Sequence, residues 1–316
     1  MEDSIFDCVI LGGGPGGLSA ALYCARGGIN SAIIDTSAIG GAPVNYCEIE
    51  NYLGFSKIQG YELSEKFEEH VDRFNIKKFP YEEIQSVELL SPVKKIVTLN
   101  GEFRAKSIII ATGARPRQLG VKGEIENIGR GVSYCAVCDG SFYKDKIVAV
   151  VGGGNSALEE AIYLTKHAKK VYIIHRRDKF RADEVIQKRV SENKKIELIL
   201  NSTVEAILSE QRVHGLKIKD VKTGEINVVY VDGVFPYIGL SPNSEIFQSQ
   251  LQLDKNGFII TDSEMKTTAE GVFAVGDVRN TPLRQVITAV SDGAIAGVKA
   301  VSYLSETSDL FSKYTV

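Results

Sequence analysis

The chain has 316 residues, 44% of them hydrophobic, and a formal net charge of −3. That length predicts two domains with full apolar cores, and the slightly acidic balance argues against a nucleic-acid-binding surface. No apolar run approaches the roughly 20 residues of a membrane span; the acidic start, Met1-Glu2-Asp3, runs straight into a first strand, which leaves no room for a secretory signal and points to a reducing cytoplasm.

Residues 5–11, 15–28 and 31–35 read as strand, helix and strand. Gly12-Gly13-Gly14-Pro15-Gly16-Gly17 joins the first two. In this fingerprint one glycine permits the tight turn, one lets a pyrophosphate approach the backbone, and one lets the helix pack on the strand. The pyrophosphate then meets the free N–H groups of the helix N-terminus. The second strand ends on Asp35. A carboxylate there accepts hydrogen bonds from a free ribose diol and repels a 2′-phosphate, so this site should take FAD or NAD.

A glycine-rich loop follows, Ile39-Gly40-Gly41-Ala42-Pro43, then the polar-aromatic stretch from Glu48 to Phe55. Residues 61–74 carry a helical apolar period, and short strands occupy about 76–110, ending in Ser107-Ile108-Ile109-Ile110-Ala111-Thr112-Gly113. Residues 114–117 read as a linker.

Cys135-Ala136-Val137-Cys138-Asp139-Gly140 comes next. Such spacing permits a local disulfide or half of a metal site. Zinc would need a second close pair of Cys or His, which the isolated Cys8, Cys24 and Cys47 and the four scattered histidines do not supply, so no metal is expected. Redox chemistry is left, in which one thiol acts as thiolate and the other resolves a mixed disulfide. Asp139 could shuttle a proton to a departing thiolate, or could be a turn or N-cap aspartate before Gly140. Cys8 and Cys24 read as buried small hydrophobes, and Cys47 as a loop residue.

The first pattern then repeats. An apolar run, Ile147 to Val151, leads into Gly152-Gly153-Gly154-Asn155-Ser156-Ala157, with the small Ala157 in place of the third glycine. A helix over 155–167 and a strand over 170–175 follow, ending on His175-Arg176-Arg177, with Arg181 one turn on. Gly12 to Asp35 and Gly152 to His175 are both 23 positions apart. A guanidinium matches phosphate bidentately, so the second site should prefer NADPH to NADH; otherwise these arginines are a solvated basic face. A helix near 183–192 and strands over about 196–236 complete this part, and residues 239–243 read as a second linker. Gly271-Val272-Phe273-Ala274-Val275-Gly276-Asp277 is a buried strand ending in an acidic turn, and a helix from about 285 to 304 follows.

The simplest topology is α/β, with two Rossmann-like three-layer nucleotide-binding domains. One, residues 118–239, is inserted into the other, residues 1–114 and 244–316, through linkers at 114–117 and 239–243. Two adjacent linkers make a hinge.

The glycine turn at 12–17, the Cys135–Gly140 motif, Gly152–Ala157 with His175-Arg176-Arg177 and Phe180-Arg181-Ala182, and Gly276-Asp277 followed by Arg284-Gln285 together resemble the low-molecular-weight, bacterial-type thioredoxin reductases, FAD/NADPH pyridine nucleotide-disulfide oxidoreductases. The resemblance spans nearly the whole length. It implies FAD held by Gly12, Gly14, Pro15, Gly17, Asp35, Gly40, Gly41, Ala42, Asn51, Ala111, Thr112, Gly113, Gly276, Asp277, Arg284, Gln285 and Ala289. It implies NADPH held by Gly152, Gly154, Asn155, Ser156, Ala157, His175, Arg176, Arg177 and Arg181. Electrons would pass from NADPH through FAD to a Cys135–Cys138 disulfide, with Cys138 beside the flavin. Rotation of the inserted domain would then bring Cys135 out to attack thioredoxin, with Asp139 as acid–base residue, in a homodimer. Asn155, the Ala42-Pro43 pair and Asn45-Tyr46-Cys47 depart from the usual family pattern, the last two near the flavin. Ferredoxin or NADH as donor, another disulfide as substrate, and a flavin redox sensor without turnover are the alternatives.

Overall fold

The computed structural model describes residues 5–45 and 49–311. Cys47 lies outside them, as do Tyr46 and Glu48. The chain folds as two compact units, Met1–Arg115 with Ser241–Val316, and Pro116–Leu240.

The first unit begins with β1 (Phe6–Leu11), α1 (Pro15–Arg26), β2 (Ser31–Ile34), α2 (Gly60–Asp72), β3 (Lys77–Phe79), β4 (Ile84–Glu88), β5 (Lys94–Thr98) and β6 (Glu102–Ile110). After β7 (Ala114–Pro116), the second unit holds α3 (Ala136–Asp139), β8 (Ile147–Gly152), α4 (Asn155–Leu164), β9 (Lys170–Ile174), α5 (Glu184–Glu192), β10 (Ile196–Ile199), β11 (Ser202–Ser209), β12 (Val213–Asp220), β13 (Ile226–Val229) and β14 (Gly233–Tyr237). β15 (Leu240–Pro242) pairs with β7, so the two linkers run side by side. β16 (Val272–Ala274) and α6 (Val286–Glu306) belong to the first unit.

The first sheet has the order β3-β2-β1-β6-β5-β4. At nine residues, β6 serves two partners on one side. Its first half pairs antiparallel with β5 and its last three residues pair parallel with β16. The central strand β1 is apolar at nearly every position because both sheet faces are covered. Phe6, Val9 and Leu11 enter one core, while Cys8 and Ile10 enter another with Leu18, Ala20, Ala21 and Cys24 of α1.

The second unit repeats the plan with the parallel order β10-β9-β8-β14. Val148 and Val150 face the helices, and Ala149 and Val151 face the other way. That other face is covered by a separate antiparallel ribbon, β11-β12-β13. Of the strands expected over about 196–236, only β10 and β14 join the parallel sheet.

Helix ends also differ from expectation. The helix expected over 155–167 stops at Leu164. The carbonyls of Ile162, Tyr163 and Leu164 are taken by the N–H groups of Thr165, Lys166 and His167 in tight i to i+3 turns (3.2, 3.0 and 3.0 Å), and Lys195 Nζ reaches the carbonyls of Thr165 and Ala168 just beyond (2.8 and 3.1 Å). The final long helix runs two residues past 304, to Glu306.

Candidate active site

The first glycine turn is closed by backbone contact. Gly12 has φ +109°, and a Cβ there would lie 2.3 Å from the Ala111 carbonyl oxygen. Gly12 N–H donates to Ile34 O and Ala111 N–H to Leu11 O, both at 2.7 Å, so the ends of β1, β2 and β6 meet there. Gly41 folds back against Gly14: a Cβ on it would sit 2.6 Å from the Gly14 Cα. Gly14 is the N-cap of α1 and Pro15 opens it, with no side chain capping the end. The positive end of the helix dipole is therefore left for an anion.

Asp35 is tied to the turn it marks. Its Oδ2 accepts the Gly13 N–H at 2.6 Å, and Oδ1 accepts the Ser37 N–H and Oγ–H at 2.8 and 3.0 Å. An ionised carboxylate has about four acceptor positions; with three used, one is left for a ribose hydroxyl. From the far end of the chain, Gln285 at the N-cap of α6 accepts from Asn51 Nδ2 at 3.0 Å. Ala289, on the first turn of α6, packs near Gly276 and Gly16.

Burial raises the Asp277 carboxyl above its ordinary pKa, while the Arg284 cation pulls it down. Burial lowers the Arg284 guanidinium in turn. That guanidinium lies 3.9 Å over the Phe258 ring and donates to Arg279 O at 3.3 Å, and its Nε is buried without a hydrogen-bond partner. A buried orphan donor costs about 1–3 kcal/mol, which an acceptor on a bound ligand would relieve. Thr112 is engaged inside the protein: its Oγ1 donates to Asn243 O and its carbonyl accepts from Asn243 Nδ2, at 2.7 and 2.8 Å. Asn243 N–H donates to Gly113 O at 3.0 Å.

Sequence reasoning missed the group that holds the Gly276-Asp277 turn. Asp292, buried on α6, accepts from Gly276 N–H and from Arg279 Nη1, both at 3.1 Å, and Arg279 Nε donates to Thr261 Oγ1 at 2.7 Å. The available signal was one acid on a buried helix face otherwise made of Ala289, Gly293, Ala296, Gly297 and Ala300.

In the second turn, a Cβ on Gly152 would lie 2.3 Å from Tyr237 O, with Ala157 packed just beyond. Gly154 is the N-cap of α4, again with no side chain capping the end, and Ser156 is exposed on its first turn. The markers separate. The His175 ring lies beneath Gly153, where a Cβ would enter it at 2.4 Å, and its Nε2 is 3.1 Å from Lys179 O. Burial, with Arg181, Arg176 and Arg177 adding, holds this imidazole below its ordinary pKa, so it is neutral at pH 7. Arg176, Arg177 and Arg181 are exposed, and among the described residues none of the three is in an ion pair. Three uncompensated guanidinium groups at a strand end suit a phosphate.

Cys135 and Cys138 form a disulfide with Cα atoms 5.3 Å apart, across the single turn α3. Cys138 is exposed and Cys135 half-buried. The Cys138 N–H donates to Cys135 Sγ at 3.1 Å, a bond that would stabilise a thiolate on Cys135 after reduction. Asp139 donates its N–H to Cys135 O at 3.2 Å; its carboxylate caps no helix. Cys8 and Cys24 are fully buried.

Three supports of this turn were not legible in sequence. Ser133 Oγ accepts the Cys135 N–H (3.1 Å) and donates to Cys135 O (3.2 Å). The Tyr237 hydroxyl accepts the Ala136 N–H at 3.1 Å and donates to Tyr134 O at 3.5 Å, bracketing Cys135. The Tyr134 hydroxyl donates to Glu124, which is fully buried and also accepts the N–H groups of Leu119 and Gly120. Burial, then Glu124, drives the Tyr134 phenol well above its ordinary pKa.

Residues 6–293 match the family described as pyridine nucleotide-disulphide oxidoreductase. The chain belongs to that family. It is 44% identical over 306 residues to the thioredoxin reductase of Listeria monocytogenes, and 43% identical to that of Bacillus subtilis, with 96% of each chain covered in both cases. The solved thioredoxin reductase of Lactococcus lactis matches with a TM-score of 0.93 at 44% identity, covering 95% of this chain and 99% of the other. That of T. acidophilum matches at 0.89 and 38%, covering 94% and 98%. The cofactors of the family are FAD and NADPH, and the chain shares them. Its residues fit both. The acceptor left on Asp35, the orphan Nε of Arg284 and the uncapped α1 suit FAD, and the unpaired arginines suit NADPH. Among the described residues no helix is long and apolar enough to cross a membrane.

Proposed function

We propose that the chain is an NADPH-dependent thioredoxin-disulfide reductase. The observation that carries this reading is the closed Cys135–Cys138 disulfide in the same unit as the second glycine turn and its arginines, joined to near full-length similarity to proteins named thioredoxin reductase. Residues 1–114 with 244–316 are the FAD domain and 118–239 the NADPH domain. The site residues are those named above for each cofactor, His175 acting through the turn at Gly153 rather than on the nucleotide itself, with Cys135, Cys138 and Asp139 catalytic.

When bound, NADPH and FAD supply an electron pair at a ring that can reduce a disulfide. Cys135 and Cys138 accept the pair, and their S–S bond opens. Cys135, steadied by the Cys138 N–H, attacks one sulfur of the thioredoxin disulfide and displaces the other as a thiolate, which takes a proton from Asp139. Cys138 then displaces the remaining thioredoxin sulfur and closes the S–S bond again. Rotation of the inserted domain about its two linkers separates the half-reactions. The enzyme is a cytoplasmic homodimer in this reading; light scattering at working concentration tests the dimer.

The test is NADPH-driven reduction of thioredoxin by the FAD-loaded protein, beside Cys138→Ser. Turnover in the parent and none in the variant supports the route. Flavin bleaching without turnover moves the substrate to another disulfide. No bleaching by NADPH refutes the second nucleotide site, and points to ferredoxin or to a sensor without turnover.

A further inference from the structure

We infer that Asn155 and Asp183 form a clasp that sets the 2′-phosphate arginines, and so fixes the preference for NADPH over NADH. The inference rests on the NADPH reading above and deepens it.

Asn155 is the first residue of α4, directly after the second glycine turn. Asp183 stands just before α5 and two residues beyond Arg181. The two side chains are bonded reciprocally. Asn155 Nδ2 donates to Asp183 Oδ2 at 2.7 Å, and Asp183 N–H donates to Asn155 Oδ1 at 2.8 Å.

Asp183 holds the N-cap position of α5, where an aspartate ordinarily accepts an N–H of its own helix. Here it makes no such cap bond. Its carboxylate turns to the glycine turn instead, so the helix forgoes a cap and the loop gains an anchor. The same loop is held nearby: Arg181 N–H donates to Gly153 O at 2.7 Å, and the His175 ring fills the space beneath Gly153. The segment from Arg176 to Asp183 is thus fastened to the turn at Gly153 and at Asn155.

This explains why an amide stands at position 155. The site needs one donor and one acceptor on a single short side chain. An aspartate there would offer no donor and would face the Asp183 carboxylate. In this account Asn155 serves the NADPH site through the loop it holds rather than by touching the nucleotide, and both it and Asp183 are positioning residues. They shape the arginine loop beforehand, so less ordering is left for binding.

The test uses the FAD-loaded full chain and two probes without a nicotinamide, 2′,5′-ADP and 5′-AMP, titrated by calorimetry. Asn155→Ala removes both bonds without adding charge. We expect 2′,5′-ADP to bind about tenfold more weakly, with 5′-AMP changed by less than about twofold. Asn155→Asp should lose at least as much, and the double variant Asn155→Asp with Asp183→Asn, which restores a donor and an acceptor, should recover about tenfold over it. Melting temperature and flavin content check that each variant is folded. Equal losses for both probes, no loss in Asn155→Ala, or no recovery in the double variant overturns the clasp while leaving the cofactor reading intact. A parent protein that does not prefer 2′,5′-ADP to 5′-AMP refutes the NADPH reading, and the clasp with it.

Discussion

The two glycine turns use one backbone device and finish it differently. In the first, the carboxylate at the end of β2 bonds the middle glycine's N–H, so the marker residue braces the turn and still keeps an acceptor position for a ribose hydroxyl. In the second, bracing and recognition are divided. His175 goes under the middle glycine as a neutral packing group, and three arginines stay outside. A carboxylate can do both jobs because a diol and an N–H both donate to it. A cation cannot brace an N–H, so a phosphate-reading site needs a separate brace.

The largest expected effect tests that division. Replacing both Arg176 and Arg177 by Ala should weaken NADPH by roughly 3–4 kcal/mol, several hundredfold, at about 1.5–2 kcal/mol per charged contact. NADH should change little, and stopped-flow rates of flavin reduction over a titration of each nucleotide separate the two. Equal losses would mean that the arginines shape the turn rather than read the phosphate.

The helices that follow the turns carry the next contrast. Ala20 on α1 and Glu160 on α4 occupy equivalent places and both are buried. Glu160 Oε2 has no hydrogen-bond partner, and burial raises its carboxyl to about 7, with Glu159 adding. A carboxyl raised in the folded state keeps its full stability at low pH and loses it as pH climbs from about 4.5 through about 7. Glu160→Gln should therefore stabilise the protein by up to about 3 kcal/mol at pH 8 and by little at pH 5. Urea unfolding at the two pH values is the check; a pH-independent difference would show that Glu160 does not titrate.

Asp35→Asn keeps the shape but turns one acceptor into donors. It should lower FAD affinity about tenfold, roughly 1.4 kcal/mol, with 2′,5′-ADP binding at the second site unchanged; flavin retention on dialysis reports it. Tyr237→Phe is the smallest change. Losing the bonds around Cys135 should alter the rate of Cys135 alkylation in the reduced protein by about three- to fivefold, with the melting temperature nearly constant. A large drop in melting temperature would make Tyr237 a core residue and nothing more.

What the sequence made legible was what lies in a few contiguous residues: both glycine turns, Asp35, the arginines, Cys135 and Cys138. The α/β architecture followed from strands and helices alternating around those turns. What it hid depends on residues distant in the chain. Asn51 meets Gln285, Arg279 meets Asp292, and Tyr237 brackets Cys135, and no local pattern couples such pairs. His175 was hidden differently: in a run of cations it reads as one more, and only the empty face of Gly153 shows that it is packing. That β11-β12-β13 form a ribbon apart from the parallel sheet was not legible either, because alternating strands carry no sign of which sheet they join.

The long strand β6 has a consequence for synthesis. Its last three residues sit beside β16, which leaves the ribosome some 160 residues after β6. The second unit, by contrast, is continuous in the chain and complete once Leu240 has emerged, about 30 residues before β16, or a few seconds at about 5–20 residues per second. On a translating ribosome the arginine-bearing unit can thus be finished while the sheet of the first unit still lacks a strand. The nascent chain must carry an open sheet edge through that interval.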